Sequence, residues 1–279
     1  MLTLISLLIL SKHIFANEVL PTNYVLQLGQ LTKTINQNVV AGNLCNNTLD
    51  SKDNNACLSS RFLNKDVLYI GDSHSNLEKI NGSKMGNIVV KQLKECGAQN
   101  ITYRGVCGSS PSSWMPDSTP TSSCGVTIMD PDKFENFKKG STENLTILQK
   151  KSNPQVVIIN LGDNMISWKK KDNLKHATIE SKNTVASVVN KLVSTINKNV
   201  TCLWIGPAYH SPGKIYSKSN SIVDELYDAI KIGIGSRCTL VDSRSYFKES
   251  RPNDGLHFTA PESKHWGEEL ANAIKNLVP

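Results

Sequence analysis

The chain has 279 residues, of which 39% are hydrophobic and 20% are charged, and its formal net charge at pH 7 is +7. This composition is too apolar for a disordered chain, and 7 cysteines in 279 residues are too few for a small disulfide-stabilised scaffold. The lysines are dispersed, with short clusters such as Lys169, Lys170 and Lys171, and no basic stripe alternates with aromatic residues, which argues against a nucleic-acid-binding protein.

Residues 1–16 are predicted to be a signal peptide. Residues 2–10 are almost entirely apolar, but a run of about ten residues is too short to span a bilayer and fits the apolar part of a secretory signal. Ala16 supplies a small residue at its end, although no Lys or Arg precedes the apolar run. The alternative is a buried first strand or helix. We expect an exported protein, periplasmic or extracellular, without an integral membrane segment.

Residues 17–65 are polar and rich in Asn, and we predict an N-terminal extension that packs on the following domain. The cysteines fit an oxidising compartment, where thiols pair, and their spacing does not resemble that of a zinc site. The pairs that we expect are Cys45 with Cys57, Cys107 with Cys124 and Cys202 with Cys238, which leaves Cys96 as a buried thiol.

Residues 66–279 are predicted to be one domain in which strands alternate with helices. Short, β-branched apolar runs predict buried parallel strands at 67–70, 101–103, 156–161, 202–205 and 239–241. Helix-like stretches lie between them, at 84–95, 143–150, 178–197, 221–232 and 262–277. With right-handed crossovers this alternation predicts a three-layer α/β/α sandwich around a five-stranded, mainly parallel sheet.

Polar residues that follow these runs mark the candidate site, because ligands of open parallel sheets bind beyond the carboxyl ends of the strands. Ser73 stands at a strand-to-helix turn, where its alternative role is a helix cap, and a serine needs a neighbouring base to act as a nucleophile. Asp254 and His257 are spaced so that the carboxylate can orient the imidazole as that base. His265 is a competing base, but packing beside Trp266 explains it better.

Two further residues are candidate donors for a developing oxyanion. Gly108 follows the second strand and can offer its backbone N–H, and Asn164 follows the third strand and can offer its side-chain amide. Each alone is an ordinary turn residue. Together with the backbone N–H of Ser73 they would form an oxyanion hole with three hydrogen-bond donors.

These segments resemble the four sequence blocks of the SGNH hydrolase (GDSL esterase/lipase) superfamily, over residues 66–278. The resemblance implies a flavodoxin-like α/β/α fold and catalysis without a metal or cofactor. It implies these roles: Ser73 as nucleophile, His257 as base, Asp254 as its orienting partner, and Ser73, Gly108 and Asn164 as oxyanion donors.

The blocks depart from the common pattern at two places. His74 replaces the usual Leu after the nucleophile, and Asp163, Asn164 and Met165 replace the common Gly-Asn-Asp. Neither change removes a catalytic group. Gly105 is an alternative to Gly108, but small polar residues follow Gly108, as in the family block.

Four residues near these blocks are predicted to contact substrate: His74, Trp114, Tyr209 and His210. Exposed aromatic side chains beside an esterase site suit stacking on sugar rings, and packing in the core is the alternative for Trp114. The Trp-Ile-Gly-Pro run that begins at Trp204 is similar to exported carbohydrate esterases of the superfamily.

The sequence therefore predicts a serine esterase that removes acyl groups, acetyl foremost, from a polysaccharide or another small ester. A cationic surface would hold it near an anionic polymer. The alternatives are a lipase, lysophospholipase or thioesterase, a polysaccharide O-acetyltransferase with the same residues, and a non-enzymatic carbohydrate-binding module. No oligomeric state is predicted.

Overall fold

The computed structural model describes residues 62–77, 82, 84–171, 173–179, 181–209, 213–246 and 254–278. These residues belong to the compact unit Asn55–Pro279, and the other unit, Met1–Asn54, lies outside the described residues. The predicted signal peptide, residues 17–61 of the predicted extension, the predicted pair of Cys45 with Cys57, and His210 also lie outside them.

Twelve strands and five α-helices occur in the described residues. The strands are β1 (Asp66–Gly71), β2 (Asn100–Val106), β3 (Thr121–Ser122), β4 (Val126–Asp130), β5 (Lys133–Phe137), β6 (Gly140–Ser141), β7 (Val156–Asn160), β8 (Ser167–Lys171), β9 (Leu174–Thr178), β10 (Thr201–Ile205), β11 (Tyr216–Ser217) and β12 (Thr239–Val241). The helices are α1 (Met85–Glu95), α2 (Leu145–Ser152), α3 (Lys182–Val193), α4 (Asn220–Ile234) and α5 (Ala260–Lys275).

The central sheet has seven strands in the order β12-β10-β7-β1-β2-β4-β5. The first five are parallel and confirm the five predicted strands. Their order along the sheet is that of flavodoxin-like folds. The hairpin of β4 and β5 extends the β2 edge in the antiparallel sense, and the sequence analysis missed it. The β5 strand has no buried residue, so it lacks the apolar run on which the other strands were recognised.

Helices cover both faces of the sheet, which confirms the three predicted layers. Alternate residues of β1 point to opposite faces, so Leu68 and Ile70 pack with α2, α3 and α4. Val67 and Tyr69 pack with α1 and α5 on the other face. All residues of β7 are buried, as expected for an interior strand of a sheet with two covered faces.

A second, three-stranded sheet of β8, β9 and β11 follows the third strand end of the central sheet. The helix predicted at 178–197 is shorter at both ends, since Thr178 is the last residue of β9 and α3 runs from Lys182 to Val193. Ser181 determines this start, because its side chain accepts a hydrogen bond from the backbone N–H of Thr184 as a helix N-cap does.

Two of the predicted disulfides are present, Cys107 with Cys124 and Cys202 with Cys238, and Cys96 is a buried free thiol as predicted. The second bridge lies next to the first paired residues of β10 and β12. Cys202 directly precedes Leu203, Cys238 directly precedes Thr239, and Leu203 and Thr239 are opposite each other in the sheet. Within the described residues no helix is long and apolar enough to cross a membrane.

Candidate active site

The Ser73 turn is built at the carboxyl end of β1 by close packing and hydrogen bonds. A Cβ on Gly71 would lie 2.0 Å from the Ser75 Oγ, so only glycine fits where the chain leaves the strand. The Asp72 carboxylate accepts a hydrogen bond of 3.0 Å from the His74 backbone N–H, and the Ser75 hydroxyl donates to Asn160 Oδ1 on β7 at 2.9 Å. These contacts hold Ser73 at the edge of the sheet.

Three sequence-predicted residues from distant segments meet at this edge. The His257 Nε2 lies 3.1 Å from the Ser73 Oγ, and the His257 Nδ1 lies 2.7 Å from the Asp254 Oδ2. A carboxylate only accepts hydrogen bonds, so Nδ1 carries the proton and Nε2 is left to accept from the Ser73 hydroxyl. The other carboxylate oxygen accepts from the backbone N–H groups of Leu256 and His257, across a turn in which Gly255 has φ +88°.

The protonation states suit general-base chemistry. Loss of part of its hydration lowers the pKa of the half-exposed His257, the charge of His74 acts in the same direction, and Asp254 opposes both. Burial acts to raise the pKa of Asp254, but hydrogen bonds from the His257 side chain and from two backbone N–H groups outweigh it and lower that pKa. At neutral pH the pair is therefore a carboxylate and a neutral imidazole, which can accept a proton from Ser73.

The two candidate oxyanion donors lie on loops at the same sheet edge. Asn164 follows β7, and its side-chain Nδ2 is buried with no hydrogen-bond partner in the described part of the chain. Such a donor is costly unless a ligand satisfies it. Gly108 follows β2, has φ +80° and is exposed, and a Cβ there would meet nothing within 4 Å. The alternative Gly105 lies inside β2, where a Cβ would lie 2.4 Å from the Ser75 carbonyl oxygen, so its role is close packing.

The predicted substrate contacts are only partly at the site. Trp114 is fully buried in the core, which corrects the expectation that its ring is exposed for stacking. Tyr209 is half-buried and its hydroxyl donates to Asp224 on α4 at 2.7 Å. The competing base His265 lies on α5 with its Nε2 3.1 Å from the Tyr246 carbonyl oxygen, and Ser73 is bonded to His257 instead.

Two cavities adjoin the site. One of about 310 Å³ is lined by Ser73, His257, Lys84, Phe258 and other residues of the same edge. The second, of about 220 Å³, lies beside Asn164 and has both polar and apolar walls. Both are at or below the lower end of the size range of small-molecule sites. In the residues that the structure describes, no cluster of His, Cys, Asp and Glu is arranged to hold a metal ion.

Sequence reasoning missed two charged residues at this edge. Asp163 is 2% exposed, and its Oδ2 lies 2.9 Å from the His74 Nε2. Its other oxygen contacts the ammonium of Lys218, a lysine with no exposed surface. The only feature of the sequence that could have marked Asp163 as part of the site is its position next to Asn164. Nothing in the sequence distinguishes Lys218 from the surface lysines.

Comparison with known proteins gives one relative in sequence and several in fold. Protein BcsX of Komagataeibacter xylinus is 30% identical over 233 residues, which are 82% of this chain and 82% of that protein. No protein-family model matches the chain. Est24, a carbohydrate acetylesterase from Sinorhizobium meliloti, is similar in structure with a TM-score of 0.50 and 14% identity, over 75% of this chain and 98% of that chain. The native aryl esterase of M. smegmatis has a TM-score of 0.51 and 17% identity, over 76% and 99% of the two chains.

Proposed function

Because the chain belongs to the family of protein BcsX and has the SGNH hydrolase fold, we propose that it is a serine esterase that cleaves O-acyl esters, acetyl esters foremost, on a polysaccharide. The observation that carries this proposal is the hydrogen-bonded series from the Ser73 Oγ through the His257 ring to the Asp254 carboxylate. That series is the arrangement that activates a serine for acyl transfer.

The proposed reaction has two halves. The His257 Nε2 takes the proton from Ser73 as its oxygen attacks the ester carbonyl, and the oxyanion is bound by the N–H groups of Ser73, Gly108 and Asn164. His257 then returns the proton to the leaving sugar oxygen, which departs and leaves an acyl group on Ser73. Water, deprotonated by the same imidazole, attacks this acyl-enzyme; the bond between the acyl carbon and the Ser73 oxygen breaks, His257 returns the proton to that oxygen, and the carboxylic acid is released.

The size of the cavities and the surface charge of the protein support a polymeric substrate that carries a short acyl group. The cavities beside Ser73 and Asn164 are small, and their walls are partly polar. Est24, which shares the fold, is a carbohydrate acetylesterase. The net charge of +7 would attract an anionic polymer, and the two disulfides fit an exported protein that meets its substrate in the periplasm or outside the cell.

Polysaccharide O-acetyl transfer is the second candidate, because it uses the same acyl-enzyme. The His257 side chain is 44% exposed, so either water or a sugar hydroxyl can reach the acyl group. Release of free acetate from acetylated peptidoglycan, xylan or alginate supports hydrolysis. Acetate that appears on an added oligosaccharide instead of in solution supports transfer.

Acyl-chain length provides a direct test of the pocket. We expect p-nitrophenyl acetate to be cleaved with a kcat/KM at least about tenfold above that for the octanoate ester, since a small pocket discriminates against added methylenes. Initial rates, corrected for hydrolysis in buffer, give this ratio. Equal or faster cleavage of octanoate would favour a lipase or thioesterase.

The pH profile tests the assignment of the base. Since the pKa of His257 is lowered from its usual value of 6.5, we expect kcat/KM for p-nitrophenyl acetate to rise with pH and to reach half its maximum below pH 6.5. Rates of the free enzyme measured across acidic and neutral pH give the midpoint. A midpoint above pH 6.5 would show that the imidazole is stabilised in its protonated form, contrary to this account.

A further inference from the structure

A cluster of buried charges lies under the candidate site and has no part in the reaction just described. It consists of His74, Asp163 and Lys218, with the Asp163 carboxylate held between the imidazole and the ammonium. Asp163 and Lys218 are 2% and 0% exposed. A buried charge is tolerated only with partners, and removal of one partner leaves the other uncompensated. A lysine with no exposed surface is rare, so its retention here calls for an explanation.

Each member of the cluster adjoins a residue of the proposed machinery. His74 follows Ser73, and Asp163 precedes Asn164, whose side-chain Nδ2 has no hydrogen-bond partner among the residues that the structure describes. Lys218 directly follows β11, in which the backbone N–H of Tyr216 donates to the backbone carbonyl of Asp254 at 2.7 Å. The cluster therefore links the segments that carry the nucleophile Ser73, the oxyanion donor Asn164, and Asp254, the partner of the base.

The cluster also places charge beside the base. The centre of the His74 ring is 5.4 Å from that of His257, and it also packs against Phe258 at 5.8 Å in a tilted arrangement and against Trp266 at 5.2 Å in a T-shaped one. Burial acts to lower the pKa of His74, but its hydrogen bond to Asp163 and the charges of Asp72 and Asp163 outweigh this and raise it. The pKa of the buried Asp72 is itself raised to about 6, mainly by burial.

We propose that Asp163 and Lys218 are positioning residues, which fix the Ser73 turn, the Asn164 amide and the Asp254 loop relative to one another. Asp163 also holds the His74 imidazole by a hydrogen bond with its ring centre 5.4 Å from that of His257, and a positive charge on His74 at that distance disfavours a proton on His257. His74 belongs to this buried cluster and also lines the cavity beside Ser73, so its predicted contact with substrate stays a prediction. This inference rests on the proposed function of the Ser73 site.

A pair of matched variants separates positioning from plain stability. Lys218→Met removes the ammonium partner of the buried Asp163 carboxylate, whereas the double variant Asp163→Asn with Lys218→Met removes both charges and keeps similar side-chain shapes. We expect the double variant to recover most of the melting temperature that the single variant loses. We also expect its kcat for p-nitrophenyl acetate to stay roughly 10- to 100-fold below wild type, the size of effect of a displaced catalytic group. KM should change much less.

The control is the exposed ion pair of Lys182 and Asp228, which joins α3 to α4 at 2.7 Å. Lys182→Met with Asp228→Asn should leave both melting temperature and kcat near wild type, since surface pairs contribute little. A buried double variant with wild-type kcat and recovered melting temperature would show that Asp163 and Lys218 serve stability alone, and would overturn the positioning role.

The proposed effect of the His74 charge on His257 is tested by the variant His74→Gln, in which NMR follows the protonation of His257. Among the described residues, the charged and titratable groups near His257 are His74, Asp254 and Asp163, with Lys84 in the wall of the same cavity, and loss of the His74 charge should raise the midpoint of the His257 titration. We expect a rise of roughly half to two pH units for a unit charge about 5 Å away. This readout needs no substrate, so it stands even if the wild type fails to cleave esters and the proposed function falls. An unchanged or lowered midpoint would overturn the electrostatic role.

Discussion

Ser73→Ala is expected to lower kcat/KM for p-nitrophenyl acetate by at least about 10³-fold, because it removes the only atom that forms the acyl-enzyme. The oxyanion donors and the base remain in this variant, so a small residual rate from water attack is expected. The Ser73 side chain contacts His257 at the surface of the site and is not part of the core, so the melting temperature should change little. Steady-state rates and a thermal melt measure both quantities.

The matched control for this variant is Ser245→Ala, at an exposed serine in the turn Arg244–Tyr246. It reports the background reaction of an activated ester with the protein surface, and it should behave as wild type. If Ser73→Ala retains the wild-type rate, the ester is cleaved elsewhere and the proposed esterase mechanism is wrong.

Asn164→Ala is expected to lower kcat by about 10²- to 10³-fold with little change in KM, the loss measured when one oxyanion donor is removed from a serine hydrolase. The reason lies in the resting structure. The Asn164 Nδ2 is buried without a partner in the described residues, so a bond that it makes forms only when the oxyanion develops. Asn164→Ala removes no hydrogen bond of this Nδ2 within the described residues, so the variant should melt close to the wild-type temperature.

The comparison variant is Asn220→Ala, at an exposed asparagine in the first turn of α4, which should leave kcat unchanged. A rise in KM with unchanged kcat in Asn164→Ala would instead indicate that the amide binds the ground state of the substrate. That result would remove Asn164 from the proposed oxyanion hole.

The parts of the fold that could be predicted are those that a short stretch of sequence identifies by itself. The parallel strands are short β-branched runs, and the polar residues after β1 and β7 follow them directly in the sequence. The pairing of Cys202 with Cys238 was also accessible, because each cysteine opens a strand-like run in the sequence and the two strands, β10 and β12, are neighbours. The candidate triad was found in the same way, since Asp254 and His257 are close in sequence and Ser73 ends a strand.

The parts that were missed depend on contacts between distant residues. The Lys-rich β8 has no apolar alternation, and its strand conformation depends on pairing with β9 and, through β9, on β11. Lys218 is buried because Asp163, from another loop, compensates its charge, and no local pattern reports such a partner. Trp114 lies among small polar residues that suggested an exposed loop, yet its ring fills a core that also includes Val106 and Leu145.

Labelling with a fluorophosphonate, which phosphonylates an activated serine and releases fluoride, tests the central arrangement most directly. Peptide mapping should place one adduct on Ser73, and His257→Ala should slow its formation by orders of magnitude, because the serine loses the base that takes its proton. An adduct on another serine, or labelling of Ser73 at the same rate without the imidazole, would contradict the account.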